Sequence, residues 1–432
     1  MEDNNIEIII PDIDVFEIQE HRSFKEEHID YIRSLNLEFR ETEYEGTPQY
    51  LGITPDLNAS YFIGADWLTD TKAVVVTPKM PNIDFIEMYL CALRFAPSAS
   101  YFSKFYCIDF DKPTINTHVL HNLLTPLLIL HYLSVLQHLI KIGLRKGYVY
   151  KEENLKSKIR GKILVTQNIR KNVLIKREER LYCKFQEYTV DIPENRLLKK
   201  ALVFANRVVC GFESFQHHTK LSDIKRQINN LLLAFDDVSE DIEVYQVNKI
   251  KTNKLYKNYN EAIRLSKMIL RNFDYSIKNI KENQESTPPF WIDMSRLYEV
   301  YVYSLLEEAF PGEIKFQENG HCQTSVDFLK PNERLIMDTK YKLHYNDSNA
   351  HIDDIREISG YARDENILKT LGINKNEEFV PPCLIIYPDN IDVPATINAN
   401  KGFIKSQNLL SQSVPIKSFR KFYKMSISLP IK

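Results

Sequence analysis

The feature that most constrains this 432-residue chain is a pair of strand-like apolar runs that each carry a carboxylate: Thr324–Phe328 with Asp327, and Arg334–Tyr341 with Asp338. Between them lies Lys330-Pro331-Asn332-Glu333, with Pro and Asn where tight turns favour them. Residues two apart on a strand share a face, so Asp338 and Lys340 point to one side. The short turn brings Asp327 beside them. Two carboxylates converging on one spot repel each other unless a cation sits between them. Mg²⁺, with Mn²⁺ as a substitute, is the hard ion suited to a small carboxylate site. It polarises a phosphoryl oxygen and lowers the pKa of bound water. A nearby ammonium, here Lys340, orients the attacking water or offsets transition-state charge. Phosphodiester hydrolysis needs these parts.

The acid-x-Lys spacing alone is not specific. Asp70-Thr71-Lys72 repeats the triplet but precedes its strand, and Glu313-Ile314-Lys315 lacks an acid on a paired upstream strand. Only Asp338-Thr339-Lys340 combines a preceding acid-bearing strand, a short turn and a leading amphipathic helix, Ser295–Phe310. That helix adds Glu299 as a candidate metal ligand. The competing reading is a surface strand on which Lys340 pairs with one of the Asp residues.

The rest of the chain reads as an α+β multidomain protein. Hydrophobic residues make up 44% and charged residues 26%, the balance of a globular chain. A length of 432 residues allows several domains. We expect a β-rich N-terminal region over 1–110, a helical middle region with a basic β insert over 111–285, and a C-terminal α/β region over 286–432. Tyr61–Gly64 and Ala73–Thr77 read as strands and Phe85–Leu90 as helix. Leucines at helical spacing predict a long helix from near Asn116 to Ile142, with Gly143 as its stop. His118, His121, His131 and His138 lie along it without a carboxylate or Cys at ligand spacing, so they read as ordinary helix histidines. The Leu123–Leu136 stretch reads as a buried helix too short to span a membrane. Asn283–Pro289 reads as a linker. The segment opening at Asp353 alternates charged and apolar residues like a helix, and Cys383–Tyr387 reads as a buried strand.

The formal net charge of −2 argues against a chain that binds nucleic acid along its whole surface. The basic run over 141–180 is the candidate patch, with Arg160, Lys162, Arg170 and Lys171 as phosphate contacts and Lys342 beside the acidic site as another. Cys91, Cys107, Cys183, Cys210, Cys322 and Cys383 have no CxxC spacing and read as reduced, mostly buried thiols. The N-terminus lacks signal-peptide character, so a cytoplasmic location is expected.

Taken together, these residues resemble the McrC family of nuclease subunits, within the PD-(D/E)xK superfamily. Ile292-Asp293-Met294-Ser295-Arg296-Leu297-Tyr298-Glu299 resembles the family's leading helix, and Asp338-Thr339-Lys340-Tyr341-Lys342 its D-x-K-Y-K strand. Arg160-Gly161-Lys162-Ile163 and the Tyr188–Arg196 segment, with Thr189, Asp191, Asn195 and Arg196, resemble motifs of its middle region. Val326 replaces the Pro of the superfamily's name, and Glu357 stands nearest to where a Gln is usual. The resemblance implies that 286–432 is a PD-(D/E)xK endonuclease domain and that 1–110 binds a partner. It implies a hexameric AAA+ GTPase partner like McrB, double-stranded DNA as substrate, and dimerisation of nuclease domains. This sequence has no G-x-x-x-x-G-K-[ST] motif, so the motor would be another polypeptide. A stand-alone repair nuclease and a non-catalytic activator of the motor are the alternatives.

Overall fold

The computed structural model describes residues 15–431 apart from 41–47, 81, 96–100, 118–122, 212–214, 216, 217, 219, 248–257, 283–285, 322, 323, 343–351, 390–402 and 404–407. Along the chain the strands are β1 (Val15–Gln19), β2 (Phe62–Trp67), β3 (Ala73–Thr77), β4 (Tyr106–Ile108) and β5 (Ile115–Asn116). Then come β6 (Gly147–Lys156), β7 (Lys162–Ile163), β8 (Arg180–Thr189), β9 (Ser286–Thr287) and β10 (Phe290–Asp293). The last are β11 (Lys315–Asn319), β12 (Ser325–Lys330), β13 (Leu335–Thr339), β14 (Cys383–Pro388), β15 (Val414–Pro415) and β16 (Phe422–Ile427).

The chain divides into two compact units, and the division differs from the three regions expected. Met1–Leu124 and Asn279–Lys432 form one unit, and Thr125–Lys278 the other. The physical reason lies in β10. It follows the expected linker, yet it pairs antiparallel with both β2 and β4, so the N-terminal sheet runs β1-β3-β2-β10-β4. Gly64 makes this approach possible. Its φ is +148°, and a Cβ there would meet the Phe290 carbonyl oxygen at 2.0 Å. The expected linker is itself partly a strand: β9 pairs with β5. Asn116 thus lies in a strand, and the helix expected from there begins at Leu124.

The second sheet of this unit runs β11-β12-β13-β14-β16-β15. β11, β12 and β13 are antiparallel neighbours, whereas β13, β14 and β16 are parallel. Central parallel strands are covered on both faces and so read as continuous apolar runs. Leu335, Ile336 and Met337 fit that rule with 0% exposure, and only the end of β13, Asp338-Thr339, is polar. Val326, Leu329, Ile336 and Ile385 pack against Ile355, Ile358 and Ile367 from the helices Ile352–Tyr361 and Glu365–Thr370. Expected as one helix, this segment is two, the second opened by an Asp364 cap that accepts from Asn366 N and Ile367 N.

The other unit holds helices Leu124–Ile142, Pro193–Gly211, Leu221–Leu233 and Asn258–Glu282 and the antiparallel sheet β6-β8-β7. The first helix has 19 residues, fewer than a start near Asn116 would give, yet against the expectation for its apolar stretch it is by length and composition long and apolar enough to cross a membrane. Leu127, Leu128, Leu133 and Leu136 on it are nonetheless buried. His131 is buried there too, and burial lowers it to about 4. Gly161 has φ +67°, and a Cβ would meet the Lys184 carbonyl oxygen at 2.4 Å, so β7 can lie on β8 only with Gly there. Of the cysteines, Cys91, Cys183 and Cys383 are buried thiols, Cys107 and Cys210 are exposed, and Cys322 lies outside the described residues. His118 and His121 also lie outside them.

Candidate active site

The register of β12 on β13 pairs Phe328 with Met337 and so carries Asp327 beside Asp338. Side chains directly opposite in an antiparallel pair share a face. Asp327 is buried and accepts from Thr339 N at 2.7 Å and Thr339 Oγ1 at 2.5 Å. The residue between the acid and the lysine therefore fixes one oxygen of the first carboxylate.

Lys340 lies just beyond β13, which ends two residues before the expected Tyr341, but its N–H still pairs with the Ile386 carbonyl at 2.8 Å. Its ammonium stands 2.8 Å from Asp338 Oδ2 and 2.8 Å from Glu357 Oε2. The contact with Asp338 is an ion pair off hydrogen-bond alignment, and that buried Oδ2 has no hydrogen-bond partner. Glu357 comes from the Ile352–Tyr361 helix, and its other oxygen accepts from Tyr361 Oη at 3.1 Å. The acid that replaces the usual Gln thus faces the lysine.

Glu299 reaches the same cavity from the helix Met294–Ala309. It is buried, and Gln317 Nε2 donates to its Oε1. Gln317, at φ +55° on β11, accepts in turn from Ser325 Oγ at 2.9 Å. Asp293 caps the helix by accepting from Arg296 N at 3.0 Å, and the Arg296 Nε lies 3.4 Å from its other oxygen. Sequence reading missed Gln317, Asp293 and Arg296 as members of the site. The Asp before Met294 is a visible N-cap signal, whereas nothing local marks Gln317.

A cavity of about 90 Å³ opens among Glu299, Asp327, Asp338, Lys340, Glu357 and Arg296. Its electrostatics are those of crowded acids. Burial raises Asp338 well above the usual carboxylate range, the Asp327 charge adds to this, and Lys340 only partly opposes it. Burial and then the Asp327 charge raise Glu299. Burial raises Asp327 against its bonds from Thr339. Asp293 rises to about 6, chiefly by burial. Lys340 goes the other way: burial alone would lower it, but the charges of Asp338 and Glu357 hold it above the ordinary lysine value.

Among the described residues no three His, Cys, Asp or Glu side chains form a ready-made metal cage. The expected ligands Asp327, Asp338 and Glu299 share the cavity without closing on a point. The donor set still fits one class of ion. It is all carboxylate, the buried Asp338 Oδ2 faces only the Lys340 ammonium and without an aligned hydrogen bond, and Mg²⁺ keeps several waters and needs only one or two protein carboxylates.

The candidate phosphate contacts fare differently. Lys342 pairs with Asp354 at 2.9 Å. Arg160 lies over the Phe185 ring at 4.3 Å, and Lys171 over Tyr182 at 4.0 Å. Lys162 and Arg170 are exposed. The expected basic face on β6–β8 is mixed in charge, because Lys151 pairs with Glu187 and Lys184 with Glu152, each at 3.2 Å. The Asp191 and Asn195-Arg196 motif is structural. Arg196 forks onto Asp191 at 2.7 Å twice, and Asn195 donates to the Arg145 and Val190 carbonyls while accepting from Tyr259 Oη.

By fold and site this is a mixed α/β protein that gathers carboxylates around a lysine at the end of a central strand. The chain belongs to the McrBC family: residues 59–359 match the family described as McrBC 5-methylcytosine restriction system component. No curated protein matches it. Two solved structures from Thermococcus gammatolerans are similar. One is a half-complex from a tetradecameric assembly of McrB AAA+ hexamers with bound McrC, at 14% identity over 96% of this chain and 94% of that chain, with TM-score 0.39. The other is the McrBC complex, at 15% identity over 70% and 89%, with TM-score 0.30. Likeness at those scores supports no conclusion about this chain's assembly.

Proposed function

We propose that this chain is the DNA endonuclease subunit of a GTPase-driven, modification-dependent restriction complex, hydrolysing phosphodiester bonds with a divalent cation. The observation that carries this reading is the Lys340 ammonium 2.8 Å from Asp338, with Asp327 beside it in a buried cavity. Asp327 and Asp338, with Glu299, are the residues that would hold Mg²⁺ or Mn²⁺. When bound, the ion supplies Lewis acidity and a more acidic water. Lys340, whose ammonium lies beside Asp338 in the cavity, would offset negative charge that develops on the phosphoryl oxygens. Thr339 keeps Asp327 turned toward the cavity, and Gln317 fixes one oxygen of Glu299. Glu357 holds Lys340 from the more exposed side.

Family membership supports a partner that supplies the motor: a hexameric AAA+ GTPase of the McrB kind. The sheet β6-β8-β7 and its short helix leave Tyr148, Tyr150, Leu174, Ile175 and Tyr188 each at least 57% exposed, a surface suited to a protein groove. With Lys151, Arg160 and Lys184 paired to glutamates, it suits a protein better than phosphate. The test is cleavage of methylated and plain DNA with the candidate motor, GTP and Mg²⁺. Asp338→Asn should abolish cutting and leave partner binding intact. Full cleavage by that variant would sink the site assignment. Cutting without any motor would favour a stand-alone repair nuclease.

A further inference from the structure

We propose that Lys79, braced by Glu20, is a positioning residue for the Lys340 ammonium, acting through the backbone of Tyr341; this rests on the nuclease reading above. The strand that delivers Lys340 ends at Thr339. Past it, Lys340 keeps one ladder bond, to Ile386, and the chain then folds sharply, with Lys342 N donating to the Lys340 carbonyl at 2.7 Å. The peptide between them is held from the N-terminal sheet. Lys79 Nζ donates to the Tyr341 carbonyl at 2.9 Å and lies 3.1 Å from the centroid of its ring. Tyr341 is 4% exposed, and its ring packs against Tyr298 at 5.6 Å between centroids. Tyr298 is the chain neighbour of Glu299, so one clamp touches the supports of both the lysine and a candidate ligand.

Lys79 is itself held. Gln19 Nε2 donates to the Pro78 and Lys79 carbonyls at 3.3 and 3.2 Å, and Lys79 N donates to Glu20 Oε2 at 3.2 Å. Glu20 is 1% exposed, and its N–H bonds to the Thr77 carbonyl at 2.9 Å. A buried carboxyl group beside a half-buried ammonium is costly to keep, and their placement against the turn after Lys340 gives them a task beyond packing. A cation over an aromatic face that also bonds the backbone of the same residue fixes ring and peptide together.

The test uses the full chain with its motor, GTP, Mg²⁺ and DNA. Lys79→Met should lower kcat by up to about 100-fold, the cost of misplacing a reacting group by about 1 Å. The KM for DNA should stay within about twofold. Amide exchange across residues 340–342 should accelerate in the variant without motor or DNA. Lys79→Arg keeps a donor and a cation for the ring, so it should recover most of kcat. An unchanged kcat in Lys79→Met, or a loss that Lys79→Arg does not relieve, would overturn the clamp. If the unaltered chain cuts nothing, the nuclease reading fails, and the exchange measurement alone then decides the clamp.

Discussion

Replacing Asp338 with Asn should uncouple the stability of the chain from Mg²⁺. In the metal-free state burial and the Asp327 charge work against the Asp338 carboxylate, and the Lys340 ammonium 2.8 Å away partly offsets them. Asn keeps the shape of the acid and removes its charge, so the exchange relieves the repulsion from Asp327 while giving up the ion pair. Breaking a buried pair alone costs about 3–5 kcal/mol, so the net loss should stay below that. The cation is where the two chains should part. At a free concentration one hundred times its dissociation constant, a single bound ion stabilises the native state by about 2.7 kcal/mol. For a unit of this size that corresponds to a rise in Tm of about 5–10 °C. Thermal unfolding of the chain alone, with and without Mg²⁺, reads both numbers. The variant should gain less than about 2 °C. A variant that keeps the whole rise would refute the carboxylate site, as would an unaltered chain that shows none.

Glu20 should make stability fall with rising pH. Its folded value of about 7 lies above the ordinary 4.5, so its contribution is complete below about 4.5 and is lost as pH rises through 7. A shift of that size corresponds to about 3 kcal/mol at most, and denaturant midpoints at pH 5 and pH 8 should differ less in Glu20→Gln than in the unaltered chain. Identical pH dependence in the two would refute it. Gln317→Leu removes the donor to buried Glu299, and the Mg²⁺ concentration that half-saturates the thermal shift should rise about 10-fold. An unchanged midpoint would show that Glu299 needs no such support. Leu174→Asp puts a charge on a side chain that is 72% exposed, so folding should be unaffected while capture of the AAA+ partner weakens by at least about 10-fold. Equal binding by calorimetry would remove that surface from the interface.

Much of the candidate site was legible because it depends on local rules. Alternation along a strand places Asp338 and Lys340 together, and a four-residue turn brings Asp327 alongside. Glu357 was flagged only by the family resemblance, as the residue nearest to the usual Gln, and it does reach Lys340. What could not be read depends on contacts far apart in sequence. Nothing near Phe290 says that it enters a sheet begun at Val15, or that Ser286-Thr287 leaves the linker to pair with Ile115-Asn116. Lys79 looks like an ordinary loop lysine until Tyr341, 262 residues later, lies under it. The basic run misled for a related reason: composition counts Lys151 and Arg160 but not Glu187, which lies outside the run on β8 and pairs with both.

The threading of β10 between β2 and β4 sets a rule for anyone dividing this chain. A fragment starting near residue 286 would carry a ribbon with two raw edges, and the remainder would keep a slot with no filler. Each piece would search for a substitute strand, and the nearest supply is another copy of itself. Sequence change in the first hundred residues is therefore answerable to the half that carries the acids, and the two must be inherited as one object.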